Sequence, residues 1–250
     1  DTLNIAGILS KVLDAFPWDN PAALASSIVN VLLDKTGALN ALLPSEIQET
    51  FFNKTRSLAF SGAITSDVFL GLSKILPRFA QAKDTVKQLT ISGGEGKIEE
   101  FPESLGSLTL SKVKVGTVAL ATLPSLNNLS FEDVTLDRLV IDPAHSKLKM
   151  TTKALSVSEI QGLENLEVFQ KETLSSQDPF FNEITGLEAI KFTNLNHKIE
   201  TLSFERDLSL FGEPKHPSRI EGLNNLPHLH VLDVSGGKVT SLEGFEHLTQ

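Results

Sequence analysis

The stretch LPHLHVLDVSGGKVTSLEGFEHL, residues 226–248, decides the fold class because its apolar side chains recur at nearly constant steps. The steps are three, three, two, five, three, three and three residues, between Leu226, Leu229, Leu232, Val234, Val239, Leu242, Phe245 and Leu248. The step of two, from Leu232 to Val234, is typical of a strand, in which alternate side chains share one face. The glycines that follow predict a turn at the end of this strand.

The same pattern recurs along the chain, which indicates a repeat. Strand-like alternation followed by glycine also occurs as SLAFSG at 57–62 and as QLTISGG at 88–94. Further copies are matched by apolar triplets, namely Val86, Leu89 and Ile91; Leu105, Leu108 and Leu110; Leu126, Leu129 and Phe131; Leu163, Leu166 and Val168; Leu187, Ile190 and Phe192; and Leu229, Leu232 and Val234. We expect degenerate copies near 148–157 and near 199–204 or 208–210. The middle residues of the triplets should form one buried ladder across a parallel sheet.

This unit resembles the leucine-rich repeat family, in its short form of about 22 residues as found in internalin-like bacterial proteins. The stretch ITGLEAIKFTNLNHKIETL, residues 184–202, is a second good match, and the resemblance covers 57–250. It implies an α/β fold, a leucine-rich repeat solenoid with a parallel β-sheet on its concave face. The family ends its strand with an asparagine, whereas most copies here have another residue, as at Gly93 and Gly236. This departure predicts irregular turns.

The region before the repeats has helical periodicity instead. Apolar residues fall on one helix face at Ile5, Ile8, Leu9, Val12, Leu13 and Phe16, and a second amphipathic helix opens at Asn20 and closes before Gly37. We therefore expect an N-terminal α-helical cap over 1–56, which covers the apolar end of a repeat domain over 57–250. A further helix is expected over 66–80. The chain stops after a well-formed repeat, so we expect the repeat domain to be truncated there or capped by something further.

Composition narrows the partners and the compartment. The net charge of −9 repels phosphate backbones, which argues against nucleic acid as a partner. The chain has no cysteine, so it has no disulfide framework and no thiol nucleophile. This composition suits an exported bacterial protein, secreted or at the cell surface, although a cytosolic location stays open. The helix NIAGILSKVLDAF, residues 4–16, has Lys11 as its one cation, which disfavours a membrane partner and favours the cap.

The candidate chemical motifs fail on spacing, so we expect no enzyme, cofactor or metal. ISGGEGKI, residues 91–98, has glycines and a lysine, but Ile91 and Ile98 stand where a phosphate-binding loop needs glycine and a hydroxyl residue. His228 and His230 could point to one side of a strand, yet no third ligand follows at a recognisable spacing. No serine elbow is present. The glycines are better interpreted as a repeat turn.

A module that binds a protein partner is the function that the pattern favours. Stacked strands present a regular grid of outward side chains, and the predicted partner-binding residues of that grid are Asn128, Ser130, Glu132, Glu167, Phe169, Lys191 and Asp233. Asn165 is expected in the same row as Phe169, which would serve as an exposed aromatic anchor. Two alternatives stay open: the substrate-recognition part of a longer secreted effector enzyme, and a structural or adhesive surface protein.

Overall fold

A computed structural model describes residues 57–61, 86–95, 101–204, 217–235 and 239–246. The predicted helical cap and the helix predicted over 66–80 lie outside these ranges. The chain divides into two compact units, 1–114 and 115–250, and we describe each unit by itself.

The described part of the first unit contains three strands that pair in parallel. In chain order these are β1 (Ser57–Ser61), β2 (Gln88–Glu95) and β3 (Ser107–Ala119), and the last of them continues into the second unit. Leu89 lies opposite Leu108, and Ile91 lies opposite Leu110. All four side chains are buried. The alternation predicted for these strands is therefore confirmed.

The described part of the second unit holds two sheets, and their strands pair in parallel. In chain order its strands are β4 (Asn128–Val140), β5 (Lys149–Gln161), β6 (Thr173–Ser175), β7 (Ile184–Thr185), β8 (Ala189–Lys191), β9 (Thr201–Ser203), β10 (Arg219–Glu221), β11 (Val231–Asp233) and β12 (Ser241–Leu242). One sheet runs in the order β4, β5, β8, β10, β12, with β7 added beside β5. The other runs β11, β9, β6. The described chain is thus mostly parallel sheet, as the α/β class requires.

The helices among the described residues of the second unit are short. The α-helix α1 spans Pro179–Asn182, and one-turn 3₁₀ helices span Leu120–Thr122, Pro143–His145, Leu163–Asn165, Glu167–Phe169 and Leu223–Asn225. These turns return the chain from the end of one strand to the start of another, so neighbouring strands can run in the same direction.

A ladder of branched aliphatic side chains forms the core of the larger sheet. Leu139, Ile160, Ile190 and Ile220 stand opposite one another on four successive strands. Each of these side chains has no measurable exposure to solvent. Burying a side chain of this size contributes about 1.5–3 kcal/mol, so this row is a main source of the stability of the unit.

The predicted single ladder was wrong in its second half. Leu166 is buried, but it follows the turn Leu163–Asn165 and does not lie on a strand. Leu232 is half-buried and stands opposite Leu202 in the smaller sheet. Ile190 pairs with Ile160 and Ile220 instead. The return turns share the three-residue steps of the strand flanks, so apolar spacing did not distinguish the two.

Each of the strands β2, β3, β4 and β5 contains a residue with left-handed backbone. Lys112, Asp133 and Ala154 have φ angles of 52°, 54° and 54°, and Gly93 has 84°. Gly93 stands opposite Lys112, and Asp133 stands opposite Ala154, because the residues on either side of each are in register. In β4 the burial pattern shifts by one residue at this point, and the register with β5 is kept because both strands have one extra residue here. Both halves of the strand can therefore turn apolar side chains inward.

A glycine and an asparagine together close two of the return turns. Gly162 and Gly222 have φ angles of 76° and 75°, and a Cβ on either would lie 2.0 Å from a backbone carbonyl oxygen. Three residues later, the Nδ2 of Asn165 donates to the Ile141 oxygen at 2.8 Å, and the Nδ2 of Asn225 donates to the Phe192 oxygen at 2.8 Å. These are the same carbonyls that the glycines approach. These two turns are therefore ordered. Of the two glycines at which the sequence predicted a turn, Gly93 lies within β2, and Gly236 lies outside the described residues.

Replacing Ala154 by glycine should stabilise the protein. The left-handed conformation costs an ordinary L-residue about 1–2 kcal/mol, and glycine avoids this cost. Glycine in turn loses more backbone entropy on folding, which costs about 0.5–1 kcal/mol relative to alanine. We expect a net gain of about 0.5–1 kcal/mol in the free energy of unfolding, measured in urea. The control is Ala121→Gly in the exposed turn Leu120–Thr122, which should lose stability. Equal losses for both variants would contradict the assignment.

Asn225→Ala should lower the free energy of unfolding by about 1–3 kcal/mol, because it leaves the Phe192 carbonyl without its amide donor. Asn224 is exposed and directly adjacent, so Asn224→Ala is a matched control that should change stability by less than about 0.5 kcal/mol. Thermal melting of the two variants side by side measures the difference. Similar melting temperatures would show that the asparagine does not hold the turn.

Candidate functional site

The structure distributes the predicted partner-binding residues over several elements. Asn128, Ser130 and Glu132 alternate along the first half of β4, so they share one side of that strand. Asn128 and Glu132 are exposed, and the Glu132 carboxylate lies 3.2 Å from the Lys153 Nζ on β5. Ser130 is half-buried between them. These three residues therefore form a polar row, as the pattern predicts.

The other predicted residues do not join that row. Lys191 is half-buried on β8, and Asp233 is half-buried on β11 in the smaller sheet. The Ser235 hydroxyl and the Ser235 N–H hold the pKa of the Asp233 carboxyl below its ordinary value, and the N–H donates at 2.8 Å. Glu167 is exposed in the turn Glu167–Phe169.

Phe169 was expected to be an exposed anchor, and this expectation was wrong. Its side chain is 2% exposed. The ring makes an edge contact with Phe180 at 5.3 Å between centroids and lies 6.3 Å from Phe181. Asn165, expected in the same outward row, is buried as well. Both residues belong to return turns, in which these two side chains face the core and the alternation of a strand does not apply.

A network of ion pairs covers the side of the larger sheet opposite the buried ladder. We call it the charged face and define it as Arg138, Glu159, Lys191, Arg219 and Glu221. The Glu159 carboxylate lies 3.4 Å from the Arg138 Nε and 3.6 Å from the Arg219 Nη2. The Glu221 carboxylate lies 2.6 Å from the Arg219 Nε and 3.4 Å from the Lys191 Nζ. Each glutamate thus bridges two cations.

A small residue at the centre allows this network to form. Ala189 stands in register between Glu159 and Arg219 on the neighbouring strands. Those two strands are about 9–10 Å apart, twice the spacing of adjacent strands. Because alanine has no long side chain, the glutamate and the arginine meet above it and leave it 2% exposed. A larger residue at this position would separate them.

The cations of the charged face remain available to solvent while the carboxylates are largely covered. Side-chain exposure is 48% for Arg138, 46% for Arg219 and 44% for Lys191, against 17% for Glu159 and 19% for Glu221. The face has three positive and two negative side chains on a chain of net charge −9. It therefore presents guanidinium and ammonium groups outward.

The sequence prediction found Lys191 of this face and missed the other four residues. Glu159 was missed because β5 ends at Gln161, before the apolar triplet that begins at Leu163. Arg138 lies beyond the predicted triplet of β4, and no strand was predicted at β10, which carries Arg219 and Glu221. A detectable signal was present. Ile160, Ile190 and Ile220 recur at intervals of 30 residues, each with a charged residue beside it.

A buried carboxylate holds the turn after β8. The Oε1 of Glu164 accepts hydrogen bonds from the Thr193 N–H at 2.7 Å and the Asn194 N–H at 2.8 Å. The side chain is 2% exposed, and its Oε2 has no hydrogen-bond partner. Burial raises the pKa of the Glu164 carboxyl, although the two N–H groups act in the opposite direction. Its position favours a structural role in the turn.

The histidines do not converge on a metal centre in the described part of the chain. His228 and His230 are exposed as expected, but the ring near His228 is that of His197, with centroids 5.5 Å apart. His145 is buried, with Nδ1 2.7 Å from the Asp142 carboxylate and Nε2 2.8 Å from the Leu123 oxygen. Among the described residues, no three histidine, aspartate or glutamate side chains form a group that could hold an ion.

No protein-family model matches the chain, and no curated protein sequence matches it. Among the described residues, no helix has the length and apolar character needed to span a membrane. The candidate site is therefore defined by its own geometry.

Glu164→Gln should flatten the dependence of stability on pH. The pKa of Glu164 is higher in the folded chain than in the unfolded chain. The protonated carboxyl therefore contributes its full stabilisation of the fold below the unfolded pKa of about 4.3, and this contribution is lost as the pH rises through the folded pKa. The glutamine cannot ionise, so the variant should lose less stability than the wild type from pH 4.3 upward. Urea unfolding across this range measures the slope. Glu167→Gln, at an exposed neighbour, is the control, and three parallel curves would contradict the expectation.

Proposed function

We propose that this chain is a non-enzymatic module of the leucine-rich repeat type that binds a protein partner through the solvent side of its parallel sheet. The observation that carries the proposal is the charged face, a rigidly spaced set of side chains that projects from four adjacent strands. Strands fix the spacing of such groups more precisely than loops do. A surface of this kind suits recognition of a complementary surface.

The repeat type is supported by the recurrence of one device. Ile160 and Ile220 occupy the same ladder, and each is followed by the glycine and asparagine pair that closes its turn. In a leucine-rich repeat, each unit adds one strand and shares its core with its neighbours. We propose that the units continue as a solenoid with the helical cap over 1–56 at its start.

Electrostatics define the kind of partner. Arginine is enriched among the residues that dominate binding energy, and a complementary charge pattern sets specificity and association rate. Arg138 and Arg219 present their guanidinium groups at the solvent, each already oriented by Glu159. We therefore propose a partner surface rich in carboxylates. The paired carboxylates of the face are held by cations, which does not suit acid or base catalysis.

Arg219→Glu should weaken partner binding without unfolding the chain. It reverses one charge at the centre of the network, and exposed ion pairs contribute about 0–1 kcal/mol to stability. A pull-down from lysate with the wild-type chain, followed by mass identification, provides the partner. Titration calorimetry should then show affinity reduced about tenfold or more, equivalent to about 1.4 kcal/mol.

The charge-matched control is Lys198→Glu, at an exposed position outside the charged face. It should leave the affinity unchanged and so exclude a general charge effect. A partner that binds both variants as well as the wild type would remove the charged face as the binding surface.

A further inference from the structure

The two sheets of the second unit separate beside the first half of β5. Residues 149–153 of β5 pair with β4, whereas β7 and β8 pair with β5 only from Leu155 onward. The strand β6 lies at the edge of the smaller sheet, where its described pairing is with β9. Among the described residues, the first half of β5 thus ends one sheet.

A cleft of about 420 Å³ lies at this break. Its lining comes from β5, from the turn Glu167–Phe169 and from α1, and its apolar walls are Leu148, Met150, Leu166, Val168, Phe169 and Phe180. Val168 is 68% exposed although it is apolar. Pockets that bind small ligands have volumes of about 300–1,000 Å³, and a cleft within this range is large enough to accept one or two apolar side chains.

The cleft exists because a layer of the core is left uncovered. Met150 and Thr152 stand opposite Leu129 and Phe131, which are each 1% exposed. Met150 and Thr152 are only half-buried at the equivalent positions. In the described chain no further strand covers them, so an apolar side chain placed there would extend the row of Leu129 and Phe131.

The backbone of β5 presents a strand edge to the same space. The Lys149 N–H donates to the Asn127 oxygen at 2.9 Å, so it points toward β4. Because N–H and C=O groups alternate in direction along a strand, those of Met150 and Thr152 point away from β4, toward the cleft. Such an edge is a template for an additional strand.

The charges around this edge favour an acidic occupant. Lys147, Lys149 and Lys153 are exposed along it, and only Lys153 has an ion-pair partner among the described residues, Glu132. Each of the two carboxylates of the lining has a partner among the described residues. Asp178 pairs with Lys171, and the Glu183 carboxylate accepts a hydrogen bond from the Ala154 N–H at 3.3 Å.

We propose that the cleft binds an extended acidic peptide as an added strand beside residues 149–153. Main-chain hydrogen bonds to Met150 and Thr152 hold the peptide, and its alternate apolar side chains enter the cleft against Phe169 and Phe180. Acidic residues between them face the lysines at the edge. This site is distinct from the charged face and does not depend on it.

The test uses a fluorescent synthetic peptide that alternates acidic residues with valine and phenylalanine, titrated with the full chain. We expect saturable binding that is lost when lysines replace the acidic residues of the peptide. Binding should also be lost when the peptide backbone is N-methylated at alternate residues, because the edge hydrogen bonds cannot form. Absence of saturation up to about 1 mM, or equal binding of the lysine peptide, would overturn the proposal.

Two variants of the chain locate the site. Val168→Glu puts a negative charge in the cleft wall and should weaken binding about tenfold or more. Leu195→Glu changes an equally exposed residue, 67% against 68%, outside the lining, and should leave binding unchanged. Equal affinities for the two variants would refute the cleft as the site. If the chain associates with itself in the absence of peptide and Val168→Glu abolishes this association, the occupant of the cleft is a second copy, and the peptide proposal is overturned.

Arg219→Glu separates this proposal from the proposed function. The peptide should bind this variant as well as it binds the wild type, since Arg219 lies on β10 and outside the lining of the cleft. Loss of peptide binding in Arg219→Glu would place the peptide on the charged face and refute the cleft. Loss of the protein partner alone would leave the cleft supported.

Discussion

The contact among Leu139, Ile160, Ile190 and Ile220 is the interaction on which the rest of the second unit depends. These side chains interlock across four parallel strands and exclude water from the centre of the sheet. Parallel strands cannot be joined by tight hairpins, so each must be brought back by a return segment before it can pair. Burial of the apolar row offsets the entropy cost of ordering the return segments. It also fixes which side chains face outward on each strand. The charged face is the other side of the same row.

How far the sequence predicts this structure depends on whether a feature is local. The alternation at Leu89 and Ile91, and at Leu129 and Phe131, is local, and the strands lie where the pattern predicts them. The pairing of Ile190 with Ile160 is not local, because it depends on how much chain the return segment between β5 and β8 consumes. That segment contains α1 and two 3₁₀ turns, and apolar spacing does not reveal its length. One misplaced strand then hid Glu159 from the predicted site.

The charged face and the cleft differ in the physics of recognition. On the charged face, each carboxylate is already paired with two cations, so the proposed partner would meet oriented donors with little reorganisation. In the cleft, an apolar layer and a strand edge are both incomplete, and an occupant would complete both. The first surface follows from a regular part of the sheet, where Ala189 makes room for the network. The second follows from an interruption, where the smaller sheet begins with its own edge.

The left-handed residues inside the long strands have a consequence for how the chain tolerates change in length. Asp133 and Ala154 stand opposite each other, so the left-handed residues of β4 and β5 lie in register. Sliding one strand by a single residue would place its left-handed residue opposite an extended residue of its neighbour. It would also turn the inward side chains of that strand outward. The paired left-handed residues therefore fix the register of β4 and β5 through backbone conformation, independently of side-chain identity. We therefore expect an added residue to be tolerated better in a connection outside the strands, such as 141–148, where it leaves the two left-handed residues opposite each other.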